Sequence, residues 1–196
     1  MNKKTLRGRP RSDKVHQAIL QAALAEVSKT GFRALTLDAI AARADVGKMT
    51  IYRRWPNKAA VVMDAFLALI GPATEFPEAP TAVESIRRQL HLQAAFFRGK
   101  YGKIIKALLG EAQFDRELAD AFRDRWIKPR REMVRGVLRR AIAEGDLDAA
   151  INFETAIDLL YGPIYYRLQI GTGSITETFT DDVFARVMNG LRIKKI

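Results

Sequence analysis

Two short stretches with one apolar face each, separated by three residues, constrain the fold of this chain more than any other feature. Leu37, Ile40, Ala41 and Ala44 recur at helical spacing, and Ile51 marks the inner face of a second segment from Lys48 to Arg54. The turn between them is Asp45-Val46-Gly47, with Val46 also turned inward. Each stretch is about two turns long, too short to hold a helix alone in water. The pair therefore requires apolar surface from its neighbours.

Those neighbours are legible on both sides. From about Asp13 to Thr30, Val15, Ala18, Ile19, Ala22, Ala23 and Val27 form a helical stripe that ends at Gly31. Thr36 is suited to cap the next segment, with Leu35 and Ile40 placed as a hydrophobic staple and Asp38 at the positive end of the helix dipole. Pro56 restrains Trp55 away from helical angles and stops the second short segment. Asn57 can then cap a helix carrying Val62, Ala65, Phe66 and Leu69.

Residues 71–80 hold Gly71, Pro72, Pro77 and Pro80 and read as a linker. Beyond it, Thr81 and Glu84 form a capping-box pair before the stripe Val83, Ile86, Leu90, Ala94 and Phe97, which Gly99 ends. A short helix is expected over about Lys103 to Ala112. A long one follows from Asp115 to Glu144, interrupted or kinked at Pro129, and Gly145-Asp146 closes it. Another runs from about Phe153 to Ile170 with a kink at Gly162-Pro163, and a last one carries Phe179, Val183, Phe184, Val187, Met188 and Leu191. No segment alternates as a strand does. The expected fold is all-α, about nine helices, with a basic flexible arm at 1–12, a helix-turn-helix domain at 13–70 and a second helical domain at 71–196.

Charge is distributed unevenly over this plan. The chain has 33 Lys and Arg against 22 Asp and Glu, and residues 1–58 alone hold 13 of the former and 4 of the latter. The first third therefore carries most of the positive excess. That asymmetry suits a polyanion, either nucleic acid or an anionic membrane surface. The globular pattern of the first helix, which hides its apolar face, disfavours the membrane. No apolar run reaches the ~18 residues of a membrane span, and no signal-peptide core follows the basic start. The expected location is cytoplasmic, with no membrane partner.

Two helices and a tight turn leave the outer face of the second helix free to enter a major groove. That face carries Lys48, Met49, Thr50 and Arg53. Groups suited to phosphate surround it: the Thr36 hydroxyl, Tyr52, Trp55 and Lys58. Arg7, Arg9 and Arg11 of the arm would lie along phosphates or in a minor groove, or else serve only as a solubilising tail. His16 is a further candidate for phosphate.

The stretch from Ala18 through Phe66 resembles the DNA-binding domain of the TetR family of bacterial regulators. The likeness rests on Gly31-Phe32, on Thr36-Leu37-Asp38-Ala39-Ile40-Ala41, on Thr50-Ile51-Tyr52-Arg53, on Pro56-Asn57-Lys58 and on the arm Gly8-Arg9-Pro10-Arg11. Leu138-Arg139-Arg140-Ala141, Glu144-Gly145-Asp146-Leu147 and Tyr161 to Arg167 are similar to one class of TetR C-terminal domains. Asp45 departs from the family's usual Gly, Gly47 from its usual Ser, Met49 from a small residue and Trp55 from Phe.

The resemblance implies a transcriptional regulator that binds a palindromic operator as a homodimer, its last two helices pairing with those of a second copy. Ile164, Leu168, Phe184, Val187, Met188 and Leu191 are the candidates for that interface. It also implies a small-molecule effector inside the C-terminal domain that releases a repressor from DNA. Phe96, Phe97, Phe114, Phe122, Trp126, Met133, Tyr161 and Tyr165 are the candidate lining as a group; any one of them alone reads as plain core. The alternative is a dimeric DNA-binding protein without an effector, acting through a protein partner or as an architectural protein.

Other chemistries find little support. With no Cys and two His, thiolate sites are excluded and a zinc site would need carboxylates. Glu111, Asp115 and Glu117 could imitate a catalytic carboxylate pair, but no nucleophile or phosphate loop accompanies them. Neither an enzyme, a metal site nor a cofactor is expected. Lys128, Arg131, Arg135 and Arg139 form a basic stripe, read as a solvated face, with an anionic effector or a second DNA contact as the sharper reading. His91 reads as a core or rim histidine, with a hydrogen-bond role in the pocket as the alternative.

Overall fold

The computed structural model describes residues 9–71 and 75–192. Among them there is no strand, and the helices divide into two compact units between Leu69 and Ile70. The fold is all-α.

The first unit holds α1 (Arg9–Ala34), α2 (Leu37–Arg43), α3 (Lys48–Tyr52) and α4 (Lys58–Ile70). Helix α1 begins at Arg9, so the arm expected to reach residue 12 is shorter than its Gly and Pro content suggested. Pro10 does not oppose this, because the first turn of a helix needs no N–H there. Arg7 and the side chains of Arg9 and Arg11 lie outside the described residues. Helix α1 bends at Gly31, where φ is 77° and ψ is 165°, a conformation closed to side chains with a Cβ. Ile19, Ala23, Ile40 and Ile51 are fully buried and form the core that neither short helix could build alone. Arg43 reaches back from α2 to Glu26 of α1 at 2.7 Å.

The second unit holds α5 (Ala82–Arg98), α6 (Lys100–Glu111), α7 (Arg116–Phe122), α8 (Lys128–Ala143), α9 (Phe153–Ile170) and α10 (Glu177–Leu191). Helix α5 is the hub and packs against α6, α8, α9 and α10. Its Thr81 hydroxyl accepts from the Glu84 N–H at 3.2 Å. Its first N–H, on Ala82, is satisfied from far along the chain by Glu144 Oε2 at 2.7 Å. The α5–α6 corner is tight enough that a Cβ on Gly102 would stand 1.8 Å from the Phe97 carbonyl oxygen. Only glycine fits there.

The expected break at Pro129 takes a specific form. A π-helical turn spans Arg123–Ile127 between α7 and α8, and Pro129 stands in the first turn of α8. Proline cannot donate to the carbonyl four residues back, so the ladder slips to a wider turn just upstream. Counting α7, the π turn and α8 as one rod gives, among the described residues, the nine helices the sequence suggests.

Candidate nucleic-acid interface and ligand cavity

The turn between α2 and α3 owes its shape to three residues. Asp45 takes φ of 52°, the left-handed region, and is the one non-glycine among the described residues to do so. The Val46 N–H then donates to the Ala41 carbonyl at 3.1 Å, which closes the turn. Gly47 caps α3 through its backbone only. The Thr36 hydroxyl accepts from the Ala39 N–H at 3.1 Å, so it caps α2 and keeps its own proton to donate outward.

Helix α3 is short and two-faced. Ile51 is fully buried, whereas Met49 is 78% and Tyr52 51% exposed. Lys48 and Arg53 are exposed and Thr50 is half-buried. Lys48 and Tyr52 are held by one carboxylate: Lys48 Nζ donates to Asp38 Oδ2 at 2.6 Å, and the Tyr52 hydroxyl donates to Asp38 Oδ1 at 3.3 Å. The Lys48 bond holds Asp38 below the ordinary aspartate range and raises Lys48 above the ordinary lysine value.

Two of the expected DNA contacts are placed elsewhere. Trp55 is only 3% exposed. Its Nε1 donates to Asp64 Oδ2 of α4 at 2.6 Å, and its ring stacks on His16 of α1 at 5.4 Å between centroids. Trp55 is thus a core residue with a satisfied polar tip rather than a phosphate contact. His16, once a phosphate candidate, is its stacking partner. Lys58 is turned toward the end of α1. Its Nζ donates to the carbonyls of Phe32 and Arg33, each at 3.0 Å, and lies 4.7 Å from the Phe32 ring centre. Three of its attractive partners are therefore within the protein.

In the second unit, a cavity of about 150 Å³ lies among α5, α8 and α9. Of the residues expected to line it, Tyr161 and Tyr165 do so. Trp126 stands behind them, its Nε1 donating to the Tyr165 hydroxyl at 3.1 Å. Phe97 meets Tyr165 edge-on at 5.4 Å. Phe96 stacks on Tyr101 at 5.3 Å, and Phe122 is buried away from the cavity. Phe114 is 82% exposed, in the connection between α6 and α7, and Met133 is 40% exposed, off the inward stripe of Val134 and Leu138. Neither lines the cavity, since their aromatic or apolar character says nothing of which way the helix turns them.

The sequence reading missed Gln93, Ile127, Arg130, Val134 and Ile157 of the lining. Gln89 and Gln93 occupy core-phase positions of α5, 0% and 1% exposed. That polar pair in an apolar stripe was the available signal. The Tyr161 hydroxyl donates to Gln89 Oε1 at 2.6 Å, and Gln89 Nε2 donates to Gln93 Oε1 at 3.1 Å. Burial raises both tyrosine pKa values, so the phenols stay protonated. Arg130 lies over the Trp126 ring at 4.5 Å, and burial holds its pKa below the ordinary arginine value.

The basic stripe at 128–139 is an ion-paired surface. Arg131 binds Glu154 and Asp158, each at 2.6 Å, and Arg135 binds Glu132 and Glu154. Lys128 pairs with Asp124 at 2.8 Å, and Arg139 lies over Phe153 at 5.6 Å. His91 Nε2 bonds Asp181 Oδ1 at 2.7 Å on the surface joining α5 to α10. No metal-binding cluster occurs among the described residues. No helix among them is long and apolar enough to cross a membrane.

The candidate interface between copies also needs correction. Ile164, Leu168 and Met188 are 0%, 8% and 2% exposed. They sit in the stripe that α9 and α10 turn to their own core. Phe184, Val187 and Leu191 are half-buried. The large apolar groups that α9 leaves outside are Leu159, Tyr166 and Ile170, 49%, 57% and 63% exposed.

Comparison with known proteins accords with this architecture. Residues 19–65 match the family model of the bacterial regulatory proteins of the tetR family, and residues 76–187 match the tetracyclin repressor-like C-terminal domain. The HTH-type transcriptional regulator YdeS of Bacillus subtilis is 39% identical over 186 residues, covering 95% of this chain and 94% of that protein. The crystal structure of the TetR family transcription regulator SCO0332 superposes with a TM-score of 0.76 at 26% identity, over 92% of this chain and all of that one. The transcriptional regulator FadR from Bacillus subtilis, in complex with stearoyl-CoA, superposes with a TM-score of 0.69 at 18% identity, over 90% of this chain and all of that one. With a helix-turn-helix unit and a C-terminal helical unit each matched by its own model, this chain belongs to the TetR family of DNA-binding transcriptional regulators.

Proposed function

We propose that the chain is a homodimeric repressor, released from a palindromic operator when a small molecule occupies the cavity among α5, α8 and α9. The observation that carries the reading is that the first unit exposes the outer face of α3 while the second unit holds a partly polar cavity. Met49, Lys48, Thr50 and Arg53 are the base-reading candidates. Met49 is suited to an apolar contact such as a thymine methyl. Thr36, Tyr52 and the arginines at 7, 9 and 11 are the candidates for phosphate or minor groove.

Two copies would join through the outer face of α9, with Leu159, Tyr166 and Ile170 at the seam and Phe184, Val187 and Leu191 of α10 at its margin. An exposed apolar stripe of that kind is what a two-fold interface covers. FadR from Bacillus subtilis shares this fold and was solved in complex with stearoyl-CoA, which supports a small-molecule ligand here as well.

Selection of bound DNA from a random duplex pool at physiological salt tests the reading. An enriched inverted repeat with half-sites one helical turn, ~34–36 Å, apart is expected. Binding without enrichment would replace the operator reading with an architectural or partner-dependent role.

A further inference from the structure

Sulfur in this chain is confined to methionine: there are 5, and no cysteine. Any sulfur redox chemistry must therefore use a thioether. The thioethers differ sharply in access. Among the described residues, Met63 and Met188 are buried in the cores of their units, and Met133 of α8 is 40% exposed. Met49 is 78% exposed, more than Tyr52, the other large apolar group that the first unit leaves outside.

That sulfur sits on the outer face of α3, one turn before Arg53. The Met49 carbonyl accepts from the Arg53 N–H at 3.1 Å within the helix. Ile51, not Met49, anchors α3 in the core. A change confined to the Met49 side chain therefore leaves the fold intact and alters only what the face presents.

Oxidation by a peroxide makes such a change in one step. A sulfur lone pair attacks a peroxide oxygen, and the S–O bond forms as the O–O bond breaks. The sulfur gives up two electrons. The departing hydroxide takes the proton of the transferred hydroxyl and leaves as water. The product, methionine sulfoxide, is polar and returns to the thioether when a reductase removes the oxygen. Its consequence for a major groove is specific. A thioether suits the methyl group of thymine, but thymine O4 and the phosphates around that methyl are all acceptors. The sulfoxide oxygen is also an acceptor, with no proton to offer them. It must shed water at the groove and gains nothing in return.

We infer that Met49 is a site of reversible oxidation to methionine sulfoxide, through which peroxides lower the chain's affinity for its operator. The inference rests on the reading of α3 as the helix that meets DNA, and it adds a second input to that helix, independent of the cavity in the other unit.

Graded treatment of the full chain with hydrogen peroxide tests this, with two readouts on each sample. Peptide mass mapping locates the added oxygen, and gel shift on the selected operator measures affinity. Oxygen should enter Met49 before Met133, with Met63 and Met188 last. Operator affinity should fall in step with Met49 oxidation by at least about fivefold, the lower end of what one base contact supplies. The melting temperature should hold over the same doses, and methionine sulfoxide reductase should restore binding. Met49→Leu, whatever its starting affinity, should lose none of it on treatment, whereas Met133→Leu should respond as the parent does. Oxygen entering Met133 first, or all positions alike, would overturn the site. Met49 oxidised first with operator affinity unchanged, or an equal loss in Met49→Leu, would overturn its control of DNA binding. A chain that enriches no operator before any oxidant is added would refute the regulator reading instead, and the mass map would then decide the modification site by itself.

Discussion

Replacing Trp55 with phenylalanine separates a core role from a DNA contact. Phenylalanine keeps the stacking on His16 and most of the buried ring area, but it removes the N–H that donates to Asp64 at 2.6 Å. A hydrogen bond to a charged group contributes about 1.5–3 kcal/mol. Asp64 is half-buried and has further interactions, so water and those partners recover part of the loss. The smaller ring leaves some unfilled volume, which adds to the cost. The net expectation is about 1.5–2.5 kcal/mol. For a chain of this length that lowers the melting temperature by about 3–10 °C. A double-mutant cycle with Asp64→Asn, followed by thermal and urea unfolding, should return a coupling of about 1 kcal/mol. Operator affinity, measured well below the melting transition, should stay within about twofold of the parent. A variant of unchanged stability whose operator affinity falls tenfold would refute the reasoning and return Trp55 to the phosphate contacts that its position in the sequence suggests.

Lys58→Ala removes the cation that bonds the Phe32 and Arg33 carbonyls, and should cost about 1–2 kcal/mol of stability by urea unfolding before any effect on DNA is considered. Thr50→Ala and Met49→Ala should each weaken binding to the selected operator by about 1–3 kcal/mol where the side chain meets a base, with little effect on a scrambled duplex in the same gel-shift series. Acid should destabilise the second unit. Arg87 with His91 at Asp181, the Ala82 N–H with Arg140 at Glu144, and Arg135 with Arg131 at Glu154 all hold folded-state pKa values below the ordinary carboxylate range. The unfolded chain therefore takes up protons first, and the stabilisation is complete above about pH 5 and lost as pH falls through about 4 and below. A melting temperature that is flat from pH 7 to pH 3 would contradict these pairings.

The helices were legible because their apolar positions recur with a period that burial imposes, and the caps Thr36, Asn57 and Thr81 were legible because few residue types accept a hydrogen bond at that place. The cavity was less so. Aromatic residues on the right helices do not reveal their rotation, and the π turn rotates everything after Arg123 by an amount that no spacing rule carries. Phe114 and Met133 accordingly lie on the surface, while Arg130 turns inward beside Arg131 and Arg135, which meet carboxylates on α9 and on their own helix. Ile164, Leu168 and Met188 show the same limit from the other side. A strong apolar stripe satisfies its own core before it can face a second copy. What remains for a partner is the weaker, interrupted row of Leu159, Tyr166 and Ile170. Trp55 and Lys58 illustrate a different limit, since a side chain suited to phosphate is equally suited to a carboxylate or a helix end within its own domain.

The tether at Asp38 alters how this protein's grip on DNA should respond to ionic strength. Each phosphate neutralised by a free lysine or arginine releases condensed counterions, and the steepness of affinity against salt counts those releases. Lys48 already has a carboxylate 2.6 Å away, so unless it exchanges that partner for a phosphate it adds no release, and counting basic residues on the reading face overstates the steepness by about one. The compensation is entropic. A lysine held in place has less rotamer freedom to surrender at the groove, and the same carboxylate also orients Tyr52. On the proposed reading, α3 thus exchanges some long-range attraction for a face that is set before DNA arrives.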